Sequence, residues 1–186
     1  MDADDRQQAK VLTVSDGVIH GTREDKSGAA LEARLIEAGW DVVDRAVVED
    51  GVDAVAGALS RLADRFHGLI VTTGGTGFGP RDKTPEGTRF VIDREAPGLA
   101  EAMRLVNPLG RLSRGVSGTL DTALILNTPG SANGCVECFD AVADVVGHAV
   151  RLLVDNADPH PSNPNPGAEP RTTVTTTTTT ADDHHR

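Results

Sequence analysis

The stretch "GLIVTTGGTGFGPRDKTPE", residues 68–86, carries in order an apolar run, a glycine-rich segment with charged residues, and the start signal of a helix. The run "GLIVTT" predicts a buried β-strand, since short apolar runs bounded by turn residues are typical of strands. Thr84, as a capping residue before Pro85, predicts that a helix begins there. Strand, loop and helix in this order form the repeating unit of a parallel α/β sheet.

The same alternation precedes this stretch. "KVLTVSD" (residues 10–16) and "DVVDRAVVED" (residues 41–50) predict two further strands. Between them, "SGAALEARLIEAGW" predicts a helix with Ser27 as its N-cap and Gly39 as its end. Residues 52–67 carry apolar side chains at three- and four-residue spacing, which predicts an amphipathic helix before the third strand.

Elements of the same kind follow it. Two short helices are predicted over "TPEGTRFVI" and "PGLAEAMRLVN", then an apolar strand at residues 123–127 with an irregular hairpin partner before it, and a last helix over residues 131–153. This order predicts an α/β fold, a single three-layer α/β/α domain with a largely parallel sheet. The predicted boundaries are an N-terminal extension at residues 1–9, the domain at residues 10–155, and a Pro/Thr-rich tail at residues 156–186 that is expected to be disordered.

The composition of the 186-residue chain argues against several classes of protein. Its net charge of −10 speaks against a nucleic-acid-binding protein with a broad basic face, because phosphate contacts need clustered Lys and Arg. No apolar run approaches the length of a membrane span, and "MDADDRQQAK" at the N-terminus lacks the basic start and the apolar stretch of a signal peptide. A cytoplasmic protein without membrane contact is therefore expected.

The two cysteines, Cys135 and Cys138, form the CxxC sequence "CVEC". Such a pair can be a redox centre or half of a zinc site, but the sequence contains no second pair. Within a predicted helix, two small buried apolar side chains are the better interpretation, because free cysteines commonly behave in this way. We assign the pair no chemistry.

Four segments leave the carboxyl ends of the predicted strands: "SDG", "EDG", "TTGGTG" and "NTPGS". In parallel α/β sheets these ends meet at one edge, where ligands bind. Three of the four segments combine glycine with hydroxyl side chains just before a helix, which exposes backbone N–H donors to an anion. A phosphate-rich ligand is therefore expected at this edge.

The glycine-rich segment fits neither of two common nucleotide-binding patterns. In a Walker A alignment that begins at Gly77, Lys83 and Thr84 take the places of the pattern's Lys and Thr. Asp82, however, stands where the second glycine belongs. The Rossmann pattern fails because Pro80 replaces its third glycine. A carboxylate in a phosphate cradle would repel the ligand unless a divalent cation such as Mg²⁺ lies between them.

The charged residues after the glycines allow two interpretations of this segment. Asp82 would hold a metal ion, while Arg81 and Lys83 on either side would contact phosphate oxygens. The alternative is an ion pair between Arg81 and Asp82 at the surface of a long turn. The residues of the segment alone leave both interpretations open.

Several motifs together resemble the Mog and MoaB family of molybdenum cofactor biosynthesis proteins. "TTGGTG" followed by "PRDKTPE" is similar to the family's signature, "SDGVIHGTREDKSG" to its first loop, and "ILNTPGS" to its late strand and loop. The resemblance covers about residues 10–155, and related domains of gephyrin share the pattern.

The resemblance implies a nucleotidyltransferase, a molybdopterin adenylyltransferase with ATP and molybdopterin as substrates. In that reaction the terminal phosphate of molybdopterin attacks the α-phosphate of ATP, with Mg²⁺ required, and the products are adenylylated molybdopterin and pyrophosphate. No serine, cysteine or histidine nucleophile is needed, so the tasks of the protein are positioning and charge neutralisation. The resemblance also implies a homotrimer.

Carried onto this sequence, the family's two essential acidic residues are Asp50 and Asp82, which would also hold Mg²⁺. For Asp50 the simple alternative is a helix cap before Gly51. Phosphate and nucleotide contacts are expected from Ser15, Asp16, Thr73, Gly74, Gly75, Thr76, Gly77, Arg81 and Lys83, and pterin contacts from Pro129, Gly130 and Ser131.

A second hypothesis, from another class of protein, is a non-catalytic molybdopterin-binding or scaffold protein of the same pathway. Some members of the family lack the transferase activity, so membership alone leaves both hypotheses open. The presence of both acidic residues favours the enzyme. Contacts with other proteins of the molybdenum cofactor pathway stay open as well.

Overall fold

The computed structural model describes residues 6–154, so the predicted tail at residues 156–186 lies outside the described residues. The strands are β1 (Gln8–Val14), β2 (Asp41–Val48), β3 (Gly68–Thr73), β4 (Arg94–Glu95), β5 (Ser117–Leu120) and β6 (Ala123–Thr128). The helices are α1 (Asp16–Ile19), α2 (Lys26–Glu37), α3 (Val52–Ala63), α4 (Thr84–Val91), α5 (Pro97–Leu105), α6 (Ala132–Asp140) and α7 (Ala143–Leu152), with a 3₁₀ helix at Pro108–Leu112. Within residues 6–154, none of these helices has the length and apolar character that crossing a membrane requires.

The six strands form one sheet in the order β2-β1-β3-β6-β5-β4. β1, β2, β3 and β6 are parallel, whereas β5 is antiparallel to β6 and β4 is antiparallel to β5. β5 is the hairpin partner that the sequence predicted before the late strand. The largely parallel sheet between two helical layers confirms the predicted three-layer α/β/α class.

Successive side chains of the parallel strands point to opposite faces of the sheet, as the two-residue period of a strand requires. On one face, the sheet packs against α2, α5, α6 and α7 in a first core cluster that includes Val11, Val71, Leu126, Leu35 and Phe139. On the other face, it packs against α3 in a second cluster that includes Leu12, Ile70, Ile125, Val55 and Leu59. Each of these side chains is almost fully buried, and burying one of them stabilises the fold by about 1.5–3 kcal/mol.

The N-cap of α2 is Asp25, not Ser27 as the sequence predicted. The Asp25 carboxylate accepts a hydrogen bond of 2.9 Å from the Gly28 amide, and it also accepts from the Thr13 hydroxyl and from Arg45. Ser27 is buried inside the first turn. A carboxylate satisfies a free amide of the first turn and also interacts with the positive end of the helix, so Asp25 is the stronger cap.

The predicted last helix is in fact two helices. α6 ends at Asp140 and α7 begins at Ala143, and Val142 between them leaves the helical region with φ −130° and ψ 0°. Phe139, Val142 and Val146 are all buried in the first core cluster. The apolar spacing of a single helix therefore continues across the break, and the sequence pattern carries no signal of it.

The two cysteines are buried in the first core cluster, as the sequence predicted. Burial raises the pKa of the Cys135 thiol to about 11. Burial likewise raises the pKa of the Cys138 thiol to about 11. Both thiols therefore stay protonated at neutral pH, and the CxxC sequence belongs to the core.

We expect Cys135 and Cys138 of the native protein to react with iodoacetamide at pH 8 at least about 100-fold more slowly than an ordinary thiol. A pKa of about 11 instead of 9.0 lowers the fraction of reactive thiolate by about that factor. Mass spectrometry of a time course measures the rate, and the same protein in guanidinium chloride, where both thiols must react normally, is the control. Rapid alkylation of the native protein would contradict the burial of the pair.

Candidate functional site

The loops that follow β1, β2, β3 and β6 meet at one edge of the sheet and open onto a cleft of about 1210 Å³. This edge is where a parallel α/β sheet is expected to bind a ligand. The predicted site residues that line the cleft are Ser15, Asp50, Thr73, Gly74, Gly75, Thr76, Gly77, Asp82, Pro129, Gly130 and Ser131. Asp16, Arg81 and Lys83 are not among its lining residues.

The glycine loop, residues 74–82, begins with two glycines at which a side chain would clash with neighbouring atoms. Gly74 and Gly75 have φ of +99° and +63°, in the left-handed region. A Cβ at Gly74 would lie 2.2 Å from the Val14 carbonyl oxygen, and a Cβ at Gly75 would lie 2.3 Å from the Thr84 hydroxyl. That hydroxyl donates a hydrogen bond of 2.8 Å to the Gly74 carbonyl. Thr84 therefore fixes the glycine loop instead of capping α4, whose N-cap is Lys83.

The glycine loop also contacts the loop after β6. The Thr73 hydroxyl donates a hydrogen bond of 2.9 Å to the Pro129 carbonyl, and a Cβ at Gly130 would lie 3.2 Å from the Gly74 Cα. Thr73 is fully buried, so the phosphate contact predicted for its hydroxyl would require the bond to Pro129 to break. In this structure Thr73 joins the predicted nucleotide side of the cleft to the predicted pterin side.

Two serines of the cleft cap the helices that follow them. The Ser15 hydroxyl oxygen accepts from the Val18 amide at 3.3 Å, and the Ser131 hydroxyl oxygen accepts from the Gly134 amide at 3.2 Å. A serine hydroxyl that accepts in a cap keeps its own proton for donation. Both serines can therefore hold their helix ends and still donate a hydrogen bond into the cleft.

Asp82 is folded back against the glycine loop. Its Oδ2 accepts a hydrogen bond of 2.7 Å from the Gly79 amide, and a Cβ at Gly77 or Gly79 would lie 2.9 Å or 2.8 Å from that oxygen. These two glycines leave the room that the carboxylate occupies beside the cleft. The alternative ion pair between Arg81 and Asp82 is not formed, because the Arg81 guanidinium binds Asp16 instead.

Asp16 and Asp50 bind each other's backbone. The Asp16 amide donates a hydrogen bond of 2.9 Å to Asp50 Oδ2, and the Asp50 amide donates one of 3.0 Å to Asp16 Oδ1. The loops after β1 and β2 are locked together by this reciprocal pair. The alternative interpretation of Asp50 as the cap of α3 is wrong, since the N-cap is Gly51 and no side chain caps that helix end.

Arg81 makes a two-point ion pair with Asp16, through Nε at 3.0 Å and Nη2 at 2.9 Å. These hydrogen bonds, followed by the one from the Asp50 amide, lower the pKa of Asp16. The same pair raises the pKa of Arg81. The Arg81 side chain remains 62% exposed, so the pair holds the glycine loop against the loop after β1 while the guanidinium stays open to solvent.

Asp50 and Asp82 supply carboxylate oxygens of the kind that Mg²⁺ binds. Both line the cleft, and the hydrogen bonds that they accept within the described residues use Oδ2 and leave Oδ1 for another partner. Between residues 6 and 154, no group of three or more His, Cys, Asp or Glu could hold a metal ion. Mg²⁺ is commonly bound by one or two carboxylates together with substrate phosphates, so this pair suits an ion that arrives with a nucleotide.

The sequence interpretation missed Arg114, whose guanidinium binds the Gly77 carbonyl, the Asp82 carbonyl and the Glu86 carboxylate. Its local sequence "RLSRGVSG" carries no motif. Only the tertiary fold brings it to the glycine loop, 32 residues away from Asp82 in the chain. The cationic side chains that line the cleft without having been predicted are Arg23, Lys26 and Arg104.

Comparison with known proteins identifies the family. The family model described as "Probable molybdopterin binding domain" matches residues 10–148. The crystal structure of the molybdopterin biosynthesis enzyme MoaB from Thermus thermophilus is similar with a TM-score of 0.75 and 43% sequence identity, over 79% of this chain and 96% of that one. The chain belongs to the Mog/MoaB family. The resemblance inferred from the motifs is confirmed.

Two curated relatives show how the chain compares with whole proteins of this family. A protein of Helicobacter pylori (strain J99) named molybdopterin adenylyltransferase is 35% identical over 153 residues, which are 78% of this chain and 87% of that protein. The molybdenum cofactor synthesis protein cinnamon of Drosophila melanogaster is 38% identical over 153 residues, but the match spans only 25% of its length. The Mog/MoaB family places this chain in molybdenum cofactor biosynthesis.

Proposed function

We propose that this protein is a Mg²⁺-dependent molybdopterin adenylyltransferase, which transfers AMP from ATP to molybdopterin. The observation that carries the proposal is the convergence of Asp50, after β2, and Asp82, after β3, on one cleft beside the glycine loop. The name of the Helicobacter pylori relative supports the same activity.

In the proposed reaction, an oxygen of the molybdopterin phosphate attacks the α-phosphorus of ATP. A new P–O bond forms, the bond from the α-phosphorus to the oxygen that bridges to the β-phosphate breaks, and pyrophosphate leaves with the electron pair. Since the nucleophile belongs to a substrate, the protein must hold two substrates in line and neutralise charge. The cleft of about 1210 Å³ exceeds the roughly 300–1000 Å³ of a pocket for one small ligand.

The proposed roles follow the residues that line the cleft, and the family resemblance adds Asp16, Arg81 and Lys83 beside it. Asp50 and Asp82 would hold Mg²⁺, which would supply neutralisation of phosphate charge when bound. The backbone of the glycine loop would approach the phosphates closely, and the hydroxyl proton of Ser131 would be available to the pterin. The proposed nucleotide side comprises Ser15, Asp16, Thr73, Gly74, Gly75, Thr76, Gly77, Arg81 and Lys83, and the proposed pterin side comprises Pro129, Gly130 and Ser131.

The test is an incubation with ATP, Mg²⁺ and molybdopterin in which pyrophosphate and adenylylated molybdopterin are both measured. We expect the two products in equal amounts, and neither product when ATP, Mg²⁺ or molybdopterin is left out. A family member of established activity is the positive control. Molybdopterin binding without either product, under conditions in which that control is active, would favour the non-catalytic binding or scaffold protein.

The proposed assembly is a homotrimer, which is an expectation from the family resemblance. Static light scattering at micromolar concentration should give three times the mass of one chain. A monomer under these conditions would contradict the proposed assembly. The cytoplasmic location stays a prediction from the sequence.

A further inference from the structure

Arg114 binds the glycine loop and the helix behind it at four points. Its backbone amide donates a hydrogen bond of 2.9 Å to the Thr76 carbonyl. In its side chain, Nε donates to the Gly77 carbonyl and Nη2 to the Asp82 carbonyl, both at 2.7 Å. Nη1 binds the Glu86 carboxylate in the first turn of α4. One side chain therefore connects two points of the glycine loop to a regular helix.

The two carbonyls that the Arg114 guanidinium binds are at the ends of the turn that presents Asp82. This turn runs from Gly77 to Asp82, and inside it the Gly79 amide binds Asp82 Oδ2. Because the turn is otherwise at the surface, its shape depends on what holds its two ends. Arg114 holds both ends at once, and its planar guanidinium presents donors in a fixed fork that a lysine cannot reproduce.

Arg114 itself does not line the cleft. Its neighbours Ser113 and Gly115 line the cleft, whereas Arg114 is not among the lining residues. Its guanidinium is directed at two carbonyls and at Glu86, and its side chain is 28% exposed. Arg114 is therefore placed to act through Asp82 and not on the ligand.

We propose that Arg114 is a positioning residue for adenylyl transfer, because it fixes the turn that presents the Asp82 carboxylate to the metal and the ATP phosphates. This inference rests on the proposed function. It goes beyond that function in assigning a catalytic requirement to a side chain outside the cleft.

The test compares Arg114→Lys with the matched variant Arg111→Lys. Arg111 lies in the same segment and is exposed, and within residues 6–154 its side chain makes a single local hydrogen bond, of 3.1 Å to the Pro108 carbonyl. For Arg114→Lys we expect kcat to fall roughly 10- to 100-fold, since a lysine ammonium cannot keep all three charged hydrogen bonds that fix the geometry. The Mg²⁺ concentration for half-maximal rate should rise, and KM for molybdopterin should stay within about threefold. Arg111→Lys should keep the wild-type constants.

The pattern of the constants separates positioning from a general structural role. A lower kcat with a raised Mg²⁺ requirement and an unchanged KM for molybdopterin supports the proposal. A kcat within about threefold of the wild type overturns it, and so does an equal loss of molybdopterin binding and of rate. If Arg114→Lys does not fold, Glu86→Gln takes its place, because it weakens the anchor of the guanidinium and leaves the two carbonyl bonds. Glu86→Gln must then also raise the Mg²⁺ requirement, and a wild-type requirement overturns the proposal.

Hydrogen exchange tests the positioning without any substrate. In Arg114→Lys, amides of residues 77–82 should exchange roughly fivefold or more faster than in the wild type, while peptides of α3 stay unchanged. Unchanged exchange at residues 77–82 overturns the proposal. If the wild-type protein forms no product but exchange rises as expected, the proposed function fails and the control of the turn by Arg114 stands.

Discussion

Replacing Asp82 by Asn should lower the rate of adenylyl transfer by about 100- to 1000-fold, which corresponds to about 3–4 kcal/mol of lost transition-state stabilisation. Asn keeps the size of the side chain and can still accept a hydrogen bond from the Gly79 amide, which now binds Asp82 Oδ2 at 2.7 Å. Only the charge that would hold Mg²⁺ against the phosphates is removed. The fold and the affinity for molybdopterin should therefore stay nearly unchanged, and added Mg²⁺ should recover part of the rate.

Asp121→Asn is the matched control for this substitution. Asp121 lies in the turn between β5 and β6, at the end of β6 away from the cleft. Its φ of +49° is one that Asn tolerates as well as Asp, so rate and stability should match the wild type. Near-normal pyrophosphate release by Asp82→Asn would remove the catalytic role assigned to the glycine loop.

Replacing Gly74 by Ala should lower the free energy of unfolding by about 2–6 kcal/mol, the sum of a strained left-handed alanine and of overpacking. The φ of Gly74 is +99°. A Cβ there would lie 2.2 Å from the Val14 carbonyl oxygen, which belongs to β1 and cannot turn aside as a side chain could. The glycine loop would have to move, so the transfer rate should fall as well.

The control for this substitution is Gly98→Ala, in the first turn of α5. Apart from its chain neighbours and the nearby backbone of α5, no heavy atom of the described residues lies within 4 Å of a Cβ built at Gly98. Alanine in a helix is favoured over glycine by up to about 1 kcal/mol. Urea unfolding of both variants at one fixed protein concentration measures the difference. Equal stability of Gly74→Ala and the wild type would mean that β1 and the glycine loop are not packed as described.

Much of the fold could be predicted because its central strands are continuous apolar runs. β3 and β6 are buried at every position, and each ends in a segment rich in glycine or hydroxyl residues. The elements that were missed have no such signal. β4 consists of two exposed residues, and α1 is four residues long with no buried side chain.

The positions of the site loops could also be predicted, since the carboxyl ends of parallel strands meet at one edge. The contacts between the loops could not. Arg81 binds Asp16 across 65 residues, and Thr73 binds Pro129 across 56. Local patterns describe periodicity and turn chemistry, but they do not fix the direction of a side chain relative to another loop. The ion pair that the sequence left open as an alternative inside the loop is not formed, and Arg81 pairs between loops with Asp16 instead.

The most direct test of the proposed transferase uses ATP labelled either at the α-phosphorus or at the γ-phosphorus. With molybdopterin and Mg²⁺ present, adenylyl transfer predicts that the α-label appears in the pterin product and that the γ-label appears only in pyrophosphate. Asp82→Asn should slow the incorporation of the α-label into the pterin and the release of the γ-label in pyrophosphate by the same factor. Label from the γ-phosphorus in the pterin, or no label in the pterin from either ATP while molybdopterin is bound, would contradict the proposed function.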